Sequence, residues 1–142
     1  PHMFYTPRFR HGQAVLSFDL RMETGAVLGH EWRDSARPYR VGPSLRIDSG
    51  KLSVGGKPLT DIPTGTWVRV EITCGLGQQA SGTWDLLVKL PSQQPQAFRS
   101  LACGDPKFNR LEWLGLVSLA SDKTVLYVDN MGLSLRESSS ER

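Results

Sequence analysis

The sequence contains no apolar run approaching the ~18 residues of a membrane-spanning helix, so insertion of a helix into a bilayer is excluded. It also lacks any block of Lys or Arg. Its 17 basic residues, 12 Arg and 5 Lys, are scattered, and against 14 acidic residues they leave a net charge of only +3. A nucleic-acid binder concentrates its cations in a patch or stripe, so no nucleic-acid partner is expected. Cysteine is scarce. Cys74 and Cys103 stand without a CxxC and without histidines at zinc-ligand spacing, so no metal site is legible. The pair is either one disulfide or two buried thiols, and spacing does not choose between them. The G-x-S-x-G elbow, a phosphate-binding loop and a Cys-His nucleophile pattern are all missing. No three-turn amphipathic helix and no internal repeat can be traced.

What is present is turn chemistry and alternation. The chain has 14 Gly and 9 Pro in 142 residues, too many for a helical bundle and suited to short elements joined by tight turns. A chain of this length forms one domain and buries roughly two-thirds of its unfolded surface, enough for a single core. From Ala14 to Met22, residues Ala14, Leu16, Phe18, Leu20 and Met22 alternate with Val15, Ser17, Asp19 and Arg21, the period of a strand with one buried face. The same pattern predicts strands over 26–34, 38–48, 51–54, 67–74, 84–90, 97–103, 111–120 and 124–135. Gly55-Gly56 reads as a two-residue hairpin turn. The stretch 111–120 is apolar in both phases, as in a strand covered on both sides. Nine or ten strands with one apolar face each must bury those faces on a second sheet. The expected fold class is therefore all-β, a two-sheet antiparallel β-sandwich of jelly-roll type.

Four segments then carry a family resemblance. They are Gly65-Thr66-Trp67-Val68-Arg69-Val70-Glu71-Ile72, Gly82-Thr83-Trp84-Asp85-Leu86, Leu114-Gly115-Leu116-Val117-Ser118 and Leu126-Tyr127-Val128-Asp129-Asn130. In this order, over about 70 residues, the chain resembles the concanavalin A-like, laminin-G-like jelly roll. The resemblance implies the sandwich fold and a carbohydrate-binding-module type of role. It implies a setting in secreted or cell-surface bacterial proteins, often attached to glycan-active enzymes. It brings no expected cofactor, although some such modules hold a structural calcium near their last strand, for which Asp129 is the weak candidate. One carboxylate does not make a calcium site, since calcium takes six to eight oxygens. Trp67, Trp84, Asp129 and Asn130 are read mainly as structural, the tryptophans covering the sandwich end and the Asp-Asn pair satisfying backbone groups at a bend.

The densest polar cluster is His30-Glu31-Trp32-Arg33-Asp34, followed by Arg37, Tyr39 and Arg40. Concanavalin-like hydrolases carry E-x-D-x-x-E or E-x-D-x-E on one strand. Here Glu31 and Asp34 are three apart, on opposite faces, and Glu71 is followed by Thr73, so the glycosidase signature is missing. His30, Tyr39 and Arg40 supply the residue types of a lyase, but nothing in their spacing requires one. No catalytic residue is assigned.

Binding uses the same cluster differently. If strands 26–34 and 38–48 pair, Arg33, Arg40 and Arg46 share a face with Glu31 and present guanidinium forks to carboxylate or sulfate oxygens. Trp32, His30 or Tyr39 would supply a plate for a sugar ring. Against this, Glu31 with a neighbouring Arg makes an ordinary cross-strand ion pair, Trp32 is in phase with Leu28, and Tyr39 with Val41 and Leu45, as core residues would be. Trp113 is divided in the same way between ligand contact and core, with the core favoured because both sides of its strand are apolar.

The preferred function is a non-catalytic carbohydrate-binding or accessory domain of a larger, secreted bacterial glycan-active protein. Its partner is a polysaccharide or oligosaccharide, with an acidic one favoured by the charge. The expected ligand-binding residues are Glu31, Trp32, Arg33, Tyr39, Arg40 and Arg46. The alternatives are a structural or protein-interaction module packed on a catalytic domain of the same chain, and a glycan-cleaving hydrolase or lyase. Residues 1–3 read as a cloning scar, 4–136 as the domain and 137–142, with Ser138-Ser139-Ser140, as a polar tail.

Overall fold

The computed structural model describes residues 2–137, which form eleven strands and one 3-10 turn. In chain order the strands are β1 His2–Tyr5, β2 Gly12–Met22, β3 Leu28–Arg33, β4 Val41–Asp48, β5 Lys51–Val54, β6 Lys57–Asp61, β7 Trp67–Leu76, β8 Thr83–Lys89, β9 Gln96–Ala102, β10 Trp113–Ser118 and β11 Leu126–Arg136. They build two antiparallel sheets. One has six strands in the order β1-β10-β3-β4-β5-β6, the other five in the order β11-β2-β7-β8-β9. The all-β sandwich expected from alternation is the fold observed.

Alternation explains why the sheets face each other. Ala14, Leu16, Phe18 and Leu20 of β2 are wholly buried, and β7 sets Ile72 opposite Leu16 and Val70 opposite Phe18. The six-stranded sheet answers with Leu28, Trp32, Leu45, Ile47, Leu52 and Leu114, all buried. Burial of one such side chain is worth about 1.5–3 kcal/mol, so a one-residue slip of either strand would expose the whole row and is strongly disfavoured. Gly55 and Gly56 adopt φ of 57° and 79°, the left-handed pair that a tight hairpin between β5 and β6 requires.

Several expectations change. Strand β1, which the alternation did not predict, is an edge strand in which Met3 pairs with Leu116 and Phe4 with Gly115. Strand β6, sequence KPLTD, is polar and exposed and gives no period-two signal. Trp84 is buried, with its indole N–H donating to the Ala102 carbonyl at 3.3 Å, but Trp67 stands 42% exposed on the outer face of the five-stranded sheet and covers no sandwich end. β11 does bend at Asp129-Asn130, where the register with β2 shifts and Asn130 has φ 50°. There the Asn130 N–H donates to Asp129 Oδ1 at 2.8 Å, and Asn130 Nδ2 donates to Asp19 Oδ2 at 2.6 Å. Cys74 and Cys103 are free buried thiols. The run Ser138-Ser139-Ser140 lies outside the described residues.

Candidate functional site

Strand β3 divides the polar cluster between two environments. Its inward residues are Leu28, His30 and Trp32, and its outward ones Gly29, Glu31 and Arg33. The inward pair is a closed relay. The Trp32 indole N–H donates to His30 Nε2 at 3.0 Å, and His30 Nδ1 contacts the Gly115 carbonyl at 2.7 Å. Since Nε2 accepts, Nδ1 must carry the proton, which fixes a neutral imidazole in one tautomer. Burial lowers its pKa to about 4, against the opposing pull of the Gly115 carbonyl. Trp32 is therefore corrected from a ligand plate to a core residue: it is wholly buried and presents nothing to a ligand. His30 is likewise removed from the surface, so the lyase trio with Tyr39 and Arg40 does not meet on one face.

The outward side is built differently. Arg33 Nε donates to Glu31 Oε2 at 2.6 Å, an ion pair along one strand instead of the cross-strand pair expected. The Arg33 guanidinium carbon lies 4.0 Å from the centre of the Trp113 ring on β10 and 4.3 Å from the Tyr39 ring. Trp113 comes from β10, which neighbours β3, and Tyr39 from the loop that joins β3 to β4, so both rings reach the guanidinium from segments beside its own strand. Trp113 stacks in turn on Phe4 of β1, with ring centres 6.1 Å apart and planes at 20°. It lies flat on the sheet because Gly115 is beneath it. Any Cβ at Gly115 would collide with the indole. Phe4 is 52% and Tyr39 48% exposed, so each end of the stack is open to solvent.

The connection after β3 sets Tyr39 in place. Asp34 is buried, and its Oδ1 accepts from the Ala36 N–H at 3.0 Å and the Arg40 N–H at 2.7 Å. The Arg40 guanidinium lies 3.6 Å from Asp34 Oδ2, so Arg40 ties the loop instead of standing free beside Arg33. Arg46 is on the outer face, opposite Gly29 and Ser53, with Asp48 at 3.4 Å. Beside it a shallow groove of about 250 Å³ runs over Gly29, Glu31, Ser44, Arg46, Ser53 and the Gly55-Gly56 turn. The structure thus brings together Glu31, Arg33, Tyr39 and Arg46, and adds Trp113 and Phe4, which sequence reasoning missed. The available signal was Trp113-x-Gly115, a large ring with a space for it two residues on along the same face.

Two other features fall outside this site. A cleft of about 330 Å³ is lined mainly by Met3, Leu28, Leu116, Val125, Leu126 and Val128 and is largely apolar. A sugar needs convergent polar groups, which this cleft does not offer. Asp129 Oδ1 accepts from the Asn130 N–H, and among the described residues no group of three His, Cys, Asp or Glu side chains could hold a metal ion.

No protein-family model matches the chain, and no curated protein sequence does. Solved structures do match in shape. The chain superposes on a homodimeric agglutinin from chicken liver, CG-16, with a TM-score of 0.53 and 11% identity, over 94% of this chain and 100% of that one. Chicken galectin 2 gives 0.54 and 10%, over 94% and 97% of the two chains. Congerin II liganded with lactose and MES gives 0.53 and 10%, over 94% and 100%. At such identities the likeness is one of fold, and the concanavalin A-like resemblance holds at that level.

Proposed function

We propose that this chain is a non-catalytic glycan-binding domain whose ligand lies across the outer face of the six-stranded sheet. The observation that carries the reading is the row Phe4, Trp113, Arg33, Tyr39 with Glu31 paired to Arg33. A sugar ring has an apolar C–H face and a rim of hydroxyls. Half-exposed aromatic rings suit the first, and an ion pair fixed in the sheet offers donors and an acceptor to the second. The adjoining groove, with Ser44, Arg46 and Ser53, gives room for a second residue of an oligosaccharide. That a protein of like fold was solved with lactose is in keeping with the reading. In a longer secreted protein, such a domain would hold a catalytic neighbour on its polysaccharide.

Affinity electrophoresis of the chain through gels containing neutral, uronate-containing and sulfated polysaccharides tests the reading. Retardation by at least one is expected, and Trp113→Ala should abolish it while the melting temperature falls by only a few degrees. Free migration in every gel would refute the reading. A protein-interaction module is the second reading, favoured by the apolar cleft and by Val125, 46% exposed at its rim. It predicts no retardation at all.

A further inference from the structure

We infer that Arg33 selects for a carboxylate, and that the ligand of this face is a glycan bearing a carboxylated sugar, either a uronate or a sialate. The inference rests on the glycan-binding reading above and specifies its ligand.

A guanidinium has five N–H donors in one plane. In Arg33, Nε is engaged by Glu31, whereas Nη1 and Nη2 have no protein partner among the described residues, and 29% of the side chain remains accessible. The Trp113 and Tyr39 rings both lie against the guanidinium, with centres 4.0 and 4.3 Å from its carbon. The two ring contacts and the Glu31 pair hold the guanidinium in place, and the edge that carries the two Nη atoms is the part left for a ligand. A carboxylate meets that edge with two parallel N–H···O bonds. A sugar hydroxyl has a single oxygen and makes a weaker bond to the same edge.

The other arginines near this face differ. Arg40 is held to Asp34, and Arg46 is 56% exposed and paired with Asp48, with no aromatic ring against its guanidinium among the described residues. Glu31 offsets the charge of Arg33, so the local field is weak and selection comes from the fixed fork. A sulfate ester can meet the same fork with two of its oxygens, so a sulfated chain is the competing anion that the test must include. With the carboxylate on the fork, the sugar ring is carried toward Tyr39 or Phe4, whose exposed faces take its C–H side.

The test is calorimetric titration of the whole chain with a galacturonate oligomer, with a sialic-acid-terminated oligosaccharide, and with each after reduction of its carboxyl groups to primary alcohols. Reduction should weaken binding of one pair about tenfold or more, and the pair affected identifies the source of the carboxylate. Arg33→Lys keeps the charge but removes the fork. It should lose a similar factor for the acid glycan while leaving the reduced one within about threefold. If Arg33→Lys does not fold, Glu31→Gln serves instead: by removing the opposing charge it should raise the ratio of acid-glycan to reduced-glycan affinity several-fold, and an unchanged or lower ratio overturns the inference. Equal affinity for acid and reduced forms overturns the inference and leaves the glycan reading standing. Tighter binding of dextran sulfate than of either acid glycan also overturns it, in favour of plain charge attraction. Absence of binding to every glycan, neutral or acidic, overturns both.

Discussion

Arg33 and Arg69 sit on opposite outer faces of the same sandwich, and their guanidinium groups meet opposite fates. Arg69 on β7 donates through Nη1 to Asp19 Oδ1 and to the Asn130 carbonyl, each at 3.1 Å, and through Nη2 to Ser17 at 3.0 Å. Asn130 adds its own amide to Asp19, and this hydrogen bond, followed by Arg69, holds the Asp19 carboxyl below its usual range. The network joins β11, β2 and β7 and leaves neither Nη of Arg69 unused. Arg33 has one donor engaged and two rings against its guanidinium, with neither Nη atom partnered among the described residues. Both faces also carry exposed aromatics, Trp67 and Tyr127 on one, Phe4 and Tyr39 on the other. Residue type does not distinguish them. Donors left over after the fold is satisfied do.

The comparison fails most completely if β3 itself is loosened, since Arg33 is only as fixed as the strand that carries it. Trp32→Ala removes a wholly buried indole and leaves His30 Nε2 without its donor, and should cost about 3–5 kcal/mol in urea unfolding. A loss below about 1 kcal/mol would show that the inner face re-closes and that β3 is not held as described. Acid reaches the same strand through His30. Its folded pKa of about 4 lies below the ordinary 6.5, so between these values the unfolded chain binds the proton and the folded chain does not. Stability is then full above pH 6.5 and falls as the pH drops toward 4, by at most about 3 kcal/mol from this group. Unfolding series at pH 7 and pH 5 on the parent chain and on His30→Phe check it. An equal pH slope in both would remove His30 as the cause.

How much of this was legible in the sequence depends on how local the cause is. The period of two in β2 and β7 shows in the residues themselves, and so do the sandwich and most strand positions. β1 and β6 lack the period because, as edge strands, they are held by pairing more than by a buried face: β1 pairs with β10, far along the chain, and β6 with β5 across the Gly55-Gly56 turn. The outward placement of Glu31 and Arg33 follows from phase. Their pairing along the strand does not, because phase alone cannot choose between a partner two residues on and one across the sheet. His30 and Trp32 looked available because both carry polar nitrogens. Their partner, the Gly115 carbonyl, is 85 residues away. Trp113 was hidden by apolar residues in both phases of its strand, and only the stack on Phe4 and Arg33 shows that it lies outside the core.

The two arginines themselves should separate stability from binding. Arg69→Ala removes three hydrogen bonds from a partly exposed network and should lower stability by about 1–2 kcal/mol, with glycan affinity unchanged. Arg33→Ala should weaken binding about tenfold or more while lowering stability by about 1 kcal/mol or less, since its ion pair and ring contacts lie near the surface. Thermal unfolding and titration of both variants side by side decide the matter. If Arg69→Ala weakens binding as much as Arg33→Ala does, the five-stranded face shares in the site and the contrast between the faces is wrong.

The smallest effect is expected at Lys51 and Asp61, an ion pair on the same sheet as Arg33 but across its far edge, between β5 and β6. Their side chains are 56% and 74% exposed, so solvent screens the attraction, and holding two long side chains together offsets much of what remains. Lys51→Ala should change stability by no more than about 0.5 kcal/mol. It should also leave glycan affinity untouched, because neither residue lines the groove that runs from Glu31 and Ser44 to Ser53 and the Gly55-Gly56 turn. This variant therefore measures where the site ends. A several-fold loss of affinity with unchanged stability would extend the ligand past Ser53 onto β5 and β6. A ligand that long would span most of the outer face, and Arg33 would then fix one end of an extended chain instead of a terminal sugar.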